Sequence, residues 1–133
     1  MRPSLESLRT AGDLARRGKT LEAIACLEAA LALTRMEKER PSDASLLART
    51  AALHCDCAGL LSRAAAYYEE AVAATGPEPM LQTALADVRW RLGDGDAARA
   101  CLATAEAMVR SAPDEDVSIV IANLRARWAT EGG

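Results

Sequence analysis

Residues 59–75 read GLLSRAAAYYEEAVAAT, and residues 93–109 read GDGDAARACLATAEAMV. Laid over each other, Gly59 falls on Gly93, Ala64 on Ala98, Tyr68 on Leu102 and Ala71 on Ala105, all thirty-four residues apart. Ahead of the glycines, Ala52 answers to Ala86 at the same interval. A third copy stands upstream at residues 18–34, GKTLEAIACLEAALALT, where Gly18, Ala23, Leu27 and Ala30 keep the same mutual spacing. A fixed period of about thirty-four residues means one supersecondary unit stacked on itself. That repeat decides the fold and moves the question of function from catalysis to recognition.

The composition fits a helical stack. Half of the 133 residues are hydrophobic and 26% are charged, the balance of an ordinary globular protein. Thirty residues are alanine, none is phenylalanine, and the aromatic residues are Trp90, Trp128, Tyr67 and Tyr68. Alanine is the best helix former, and its small side chain lets helix axes approach closely. The expectation is an all-helical core of Ala and Leu.

Breaks in the pattern divide the chain into seven expected helices. Ser4–Arg17 ends at Gly18, and Thr20 caps a second helix whose apolar stripe is Leu21, Ile24, Leu27 and Leu31 with Ala23 and Ala30. Pro41-Ser42-Asp43 stops that helix and caps the third, which runs to about Ala58. Leu60–Thr75 closes at Gly76-Pro77; Pro79–Leu92 follows, with Leu81, Leu85, Val88 and Leu92 on one side. Gly93-Asp94 turns the chain into the sixth helix, which lasts to about Arg110. The seventh is read with Pro113 in its first turn and Asp114, Glu115 and Asp116 at the positive end of its dipole. Val117, Val120, Ile121, Leu124 and Trp128 form its apolar stripe.

Paired as helix–turn–helix, these elements make three repeats and one extra helix, and the pattern resembles the tetratricopeptide repeat (TPR) family over roughly Leu5 to Met108. The residues that carry it are a small residue in each first helix (Ala11, Ala52, Ala86) and a turn glycine (Gly18, Gly59, Gly93). In each second helix they are an alanine (Ala23, Ala64, Ala98), a large residue (Leu27, Tyr68, Leu102) and a second small one (Ala30, Ala71, Ala105). Two helices cross closely where small residues face each other, and the large residue fills the space beside the crossing. Two departures stand out. The family's aromatic late in the first helix is replaced by Leu14, Cys55 and Arg89, so Arg89 is expected either to accompany a rotated helix or to snorkel outward. The Gly18–Gly59 interval is seven residues too long, close to two helical turns, which lets the second helix run on through Met36-Glu37-Lys38-Glu39 as a solvated charged end.

The resemblance implies an all-α, right-handed α-solenoid of three TPR-like repeats with a seventh, capping helix. It is read as a single domain over residues 1–133, with repeats at about 4–40, 43–76 and 78–110 and the cap at about 113–130. It also implies a concave groove lined by the first helix of each pair. Projected onto this chain, the groove positions are Leu46, Arg49, Leu53, Asp56 and Cys57, then Met80, Thr83, Asp87, Trp90 and Arg91, with Leu5, Leu8 and Arg16 from the first repeat. An apolar floor with both signs of charge and one tryptophan suits a peptide or helix of another protein. Trp90 with Arg91 is the expected anchor, since these types dominate binding hot spots; the competing role for Trp90 is packing under the seventh helix. The family's lysine and asparagine clamp for chaperone tails falls on positions including Leu8, Gly12, Thr50, Met80 and Ala84, none of which can grip a carboxylate.

Other chemistries find little support. The net charge of −3 and pI of about 5.2 argue against nucleic acid, and Arg16-Arg17 and Arg125/Arg127 lack interleaved aromatics. His54-Cys55-Asp56-Cys57 is metal-like in composition, but on a helix only His54 and Cys57 share a face, and two ligands do not make a structural zinc site. Cys26 and Cys101 hold equivalent repeat positions and read as small packing residues. With one histidine and no phosphate loop after a strand, no enzyme, cofactor or metal is expected; Gly93-Asp94-Gly95-Asp96 is a turn with a helix cap. Residues 1–17 lack the apolar core of a secretory signal and no apolar run approaches the roughly 20 residues of a membrane span, so the chain is expected in the cytoplasm with reduced thiols and no membrane partner. The excess of arginine over lysine and the wealth of alanine fit a GC-rich bacterial genome.

The leading expectation is a small adaptor or scaffold that binds a partner peptide or helix in its groove, with a secretion-type chaperone as its narrower form. Two alternatives are a structural subunit or homodimer that buries the terminal helices (Leu5, Leu8, Ala11, Ala15; Val117, Ile121, Trp128), and a ligand- or metal-sensing regulator using His54 and Cys57.

Overall fold

The computed structural model describes residues 3–37 and 41–131. Among them the chain forms seven helices and no strand: α1 (Pro3–Arg16), α2 (Thr20–Glu37), α3 (Pro41–Cys57), α4 (Leu61–Thr75), α5 (Pro79–Arg91), α6 (Gly95–Ser111) and α7 (Glu115–Thr130). None of these is long and apolar enough to cross a membrane. The expected continuation of α2 through Lys38 and Glu39 lies outside the described residues, as does the residue that would cap α3. Ser42 and Asp43 stand inside α3 rather than ahead of it. Pro113 likewise precedes α7; the cap is Asp114, whose carboxylate accepts from the Val117 amide at 3.2 Å.

Contacts divide the chain into two compact units that meet between Gly76 and Pro77. In the first, α1 packs on α2, α3 on α4, and α3 also on α2. In the second, α5 packs on α6, and α7 rests on both.

Each of the three helix pairs turns in the same way. Gly18, Gly59 and Gly93 have φ of 78°, 77° and 88°, left-handed values that cost a residue with a Cβ. The glycine amide bonds a carbonyl three residues back (Ala15, Asp56, Trp90) at 3.0 Å. The following amide reaches five back, from Lys19 to Leu14 at 2.9 Å, Leu60 to Cys55 at 2.8 Å and Asp94 to Arg89 at 2.9 Å. These are three copies of the Schellman motif, which satisfies the last helical carbonyls. The repeat glycines are therefore fixed by backbone geometry.

The packing positions of the repeat are buried as a set. Ala11, Ala52 and Ala86 in the first helices, and Ala23, Leu27, Ala30, Ala64, Tyr68, Ala71, Ala98, Leu102 and Ala105 in the second, all lie in the core. Alanines at the crossing bring the helices close, and the larger residue fills the gap beside them. Arg89, in the place of the missing aromatic, is half-buried, and its Nη1 donates to Cys101 Sγ at 3.2 Å. Leu21 departs from expectation. It was placed on the apolar stripe of α2 but is 66% exposed, while Ile24, Leu27 and Leu31 are buried.

Candidate functional site

Helix α5 begins at Pro79, whose missing amide proton suits a first turn, and presents Met80, Thr83, Ala84 and Asp87 along one side. Helix α7 lies beside it with Val120, Asn123, Leu124 and Arg127 at helical spacing. Together these eight residues line an open cleft of about 440 Å³. Its walls are largely the side chains of Met80, Ala84, Val120 and Leu124. Asp87 stands on the rim between two guanidinium groups: Arg91 lies 3.2 Å away, one turn along α5, and Arg127 bonds it from α7. An apolar trough edged by an Arg–Asp–Arg triplet can take a hydrophobic segment and exchange charge-assisted bonds with a polar group beside it.

Of the residues expected to line a groove, Met80, Thr83 and Asp87 come together here. Thr83 is buried and its hydroxyl donates back to the Met80 carbonyl at 2.7 Å, so it shapes the wall without offering a donor. Trp90 is elsewhere. Its ring stacks on Trp128 of α7, with centroids 4.6 Å apart and planes within 8°, and its Nε1 donates to Glu131 at 2.7 Å. The Arg99 guanidinium lies 5.4 Å from the Trp90 ring centroid. Face-to-face rings that close bury apolar area and add a stacking term. This placement is the packing role weighed for Trp90: it joins α5 to α7, and its ring stays half-buried beside Arg99.

In the first unit, Leu46, Arg49, Leu53, Asp56 and Cys57 form a stripe along α3 opposite the buried Leu47, Ala48, Ala51, Ala52 and Cys55. Leu46 and Leu53 are exposed, 40% and 53%. Thr50 lies beside them and donates to the Leu46 carbonyl at 2.7 Å. Leu5 and Arg16 are exposed and Leu8 half-buried on α1.

The four cysteines are all free thiols. Burial pushes the Cys55 thiol up, the nearby Arg63 charge offsets this only in part, and the thiol is poorly suited to act as a nucleophile. Cys26 Sγ approaches the Ser7 carbonyl at 3.8 Å, a packing contact between α1 and α2. Among the described residues no three His, Cys, Asp or Glu side chains gather closely enough to hold a metal ion.

Asn123, Leu124 and Arg127 were not foreseen as groove residues. Their signal was present: Asn123 and Arg127 border, at helical spacing, the apolar stripe to which Val120 and the buried Leu124 belong. Reading α7 only as a cap concealed it.

The chain is similar to a solved structure, the TPR domain of the Arabidopsis protein FLU, with a TM-score of 0.71 and 21% identity over 81% of this chain and 95% of that one. No protein-family model matches the sequence, and no curated protein matches it. The fold is thus that of a tetratricopeptide repeat domain: all-helical, in helix–turn–helix pairs, with a seventh helix after the third pair.

Proposed function

We propose that the chain is a non-enzymatic protein-interaction module, an adaptor that seats an apolar peptide or helix of another protein in the cleft between α5 and α7. The observation that carries this reading is the cleft's make-up. Met80, Val120 and Leu124 supply apolar contact, and the Arg91–Asp87–Arg127 triplet supplies a polar edge that fixes orientation. Met80 adds adaptability, since an unbranched thioether repacks around different partners. The stripe of Leu46, Arg49, Leu53, Asp56 and Cys57 on α3 offers a second contact strip of similar mixed character. A secretion-type chaperone in the cytoplasm is one setting for such a cleft, whose occupant would be a client helix.

A photo-crosslinking residue at Ala84 tests this in cells, with the same residue at the exposed Ala100 on α6 as control. A discrete adduct at Ala84 but not at Ala100 is expected, lost by about tenfold or more when Val120→Arg fills the cleft with charge. Equal adducts at both positions, or adducts indifferent to Val120→Arg in a folded variant, would overturn the proposal.

A further inference from the structure

On α7, residues 118, 121, 122 and 125 lie at helical spacing on the flank opposite to 120, 123 and 127. With Glu106, Val109 and Arg110 of α6 they line a second open cavity, of about 350 Å³. The register of α7 tells what this cavity is. Val117, Ile121, Leu124 and Trp128 follow Leu81, Leu85, Val88 and Leu92 at a constant thirty-six residues, so α7 is patterned as the first helix of a pair. It also rests on both helices of the preceding pair, as α3 rests on α1 and α2.

At that interval Ala122 takes the place of Ala86, the small residue at the crossing with α6, and Arg125 that of Arg89, which bonds Cys101 of α6. In α3 the corresponding residues are Ala52 and Cys55, while Ala48 and Ala51 answer to Ser118 and Ile121. All four are fully buried in α3, against which α4 packs. In α7, Ser118, Ala122 and Arg125 are exposed, and no helix follows among the described residues.

Helix α6 completes the match. Counting from Gly18 and Gly93, Glu106, Val109 and Arg110 take the places of Leu31, Thr34 and Arg35 in α2. Leu31 and Thr34 are buried, and Arg35 clasps Glu70 of α4. Arg110 is exposed, and its side chain has no ion pair or hydrogen bond among the described residues. Two places differ in kind, Glu106 for Leu31 and Arg125 for Cys55, and these two answer each other: Arg125 Nε donates to Glu106 at 3.1 Å. Each place around the cavity thus corresponds to one that is closed or paired in the first unit, where α4 is present.

We propose that this cavity is the seat of a second helix supplied by another protein, which completes the pair that α7 begins. The occupant is an amphipathic helix patterned like α4, with the equivalents of Ala64, Tyr68 and Ala71 on its buried side and of Glu70 beside them. One of its small residues lies on Ala122, because helix axes approach closely only where both sides are small. Its acid reaches Arg110 as Glu70 reaches Arg35. With Arg110 and Arg125 against Glu106, the seat favours such a helix over a basic one.

A helix-stapled, dye-labelled peptide of residues 60–75 is the probe, titrated with the full chain and followed by fluorescence anisotropy. Saturable binding is expected, weakened about tenfold or more by Ala122→Trp, which fills the crossing, and by Arg110→Glu, which repels Glu70. Both positions are exposed, so the helical spectrum and the melting temperature should stay as they are. A peptide with Glu70→Arg should bind the Arg110→Glu chain better than it binds the wild type, a reversal that neither non-specific adhesion nor loss of fold produces. No binding at about 500 µM chain overturns the proposal. So does binding indifferent to Ala122→Trp, the result expected if the peptide displaces the chain's own α4. A wild-type chain that dimerises, and that Ala122→Trp returns to monomer, would assign the seat to a second copy and equally overturn it.

Discussion

In the unit built from α1 to α4, helices two apart in sequence are tied by charge: Glu28 of α2 takes bonds from Arg63 and Tyr67 of α4, and Arg35 of α2 clasps Glu70 at 2.9 Å. In the unit built from α5 to α7, the corresponding tie between α5 and α7 is an aromatic stack, Trp90 on Trp128, with Arg127 on Asp87 beside it. The turns and the alanine crossings are the same in both. What differs is how the next helix is sealed onto a finished pair. Exposed ion pairs contribute little and hold a geometry chiefly by direction, whereas a buried indole contributes several kcal/mol. The comparison therefore says how the ties differ: α7 is joined to α5 by a large buried side chain, Trp128, whereas α2 and α4 are joined by charged pairs at the surface.

Trp128→Ala is the sharpest way to break it. With Trp128 only 5% exposed, truncation should cost about 3–5 kcal/mol and strip amide-exchange protection from α5, α6 and α7. Trp128 Nε1 makes no hydrogen bond among the described residues, so Trp128→Phe keeps most of the stack without orphaning a partner and should cost less than half as much. Protection lost equally in α1 to α4 would sink the claim that the stack is a local seal.

The turns predict sameness instead. A Cβ at Gly59 or Gly93 meets nothing within 4 Å, so Gly59→Ala and Gly93→Ala are penalised by backbone conformation alone. Each should cost about 1–2 kcal/mol by urea denaturation, with equal values in the two units. A twofold disparity would mean that the repeat's turns are not interchangeable.

That sameness is why the fold was legible. Glycine and alanine at fixed spacing report local geometry, which the sequence states directly, and every small or large position read from the period is buried. The seals were less legible because they depend on side chains far apart in sequence. Trp90 and Trp128 were visible as residues, but their stacking across thirty-eight positions follows from how α7 lies on α5. For the same reason Asp87 was assigned to the groove without its partner Arg127, and Leu21 was read on the apolar stripe of α2 although it faces outward. Periodicity names a stripe on a helix, yet it does not say which of two stripes is covered.

The smallest effect belongs to the charged tie of the first unit, and pH isolates it. Burial raises the Glu28 carboxyl, but the bonds from Arg63 and Tyr67 and the Arg63 charge outweigh it and hold the group below its ordinary value of 4.5. A carboxyl lowered on folding stabilises above its unfolded pKa, and that contribution is lost as pH falls through the folded value. Acid should therefore weaken the first unit below about pH 4.5 by no more than about 1 kcal/mol, and Glu28→Gln should remove that part of the slope. The alkaline side offers a cleaner readout. Burial first, then the bond to Glu28 and its charge, push the Tyr67 phenol up to about 12. A neutral phenol stabilised in this way supports the fold below its ordinary pKa of 10 and ceases to as pH rises towards 12. Ultraviolet titration should thus show Tyr67 ionising late, and Glu28→Gln should bring it back towards 10. If Tyr67 titrates normally in the wild-type chain, Glu28 does not hold α4 in solution, and the charged tie of α2 to α4 is left to Arg35 and Glu70.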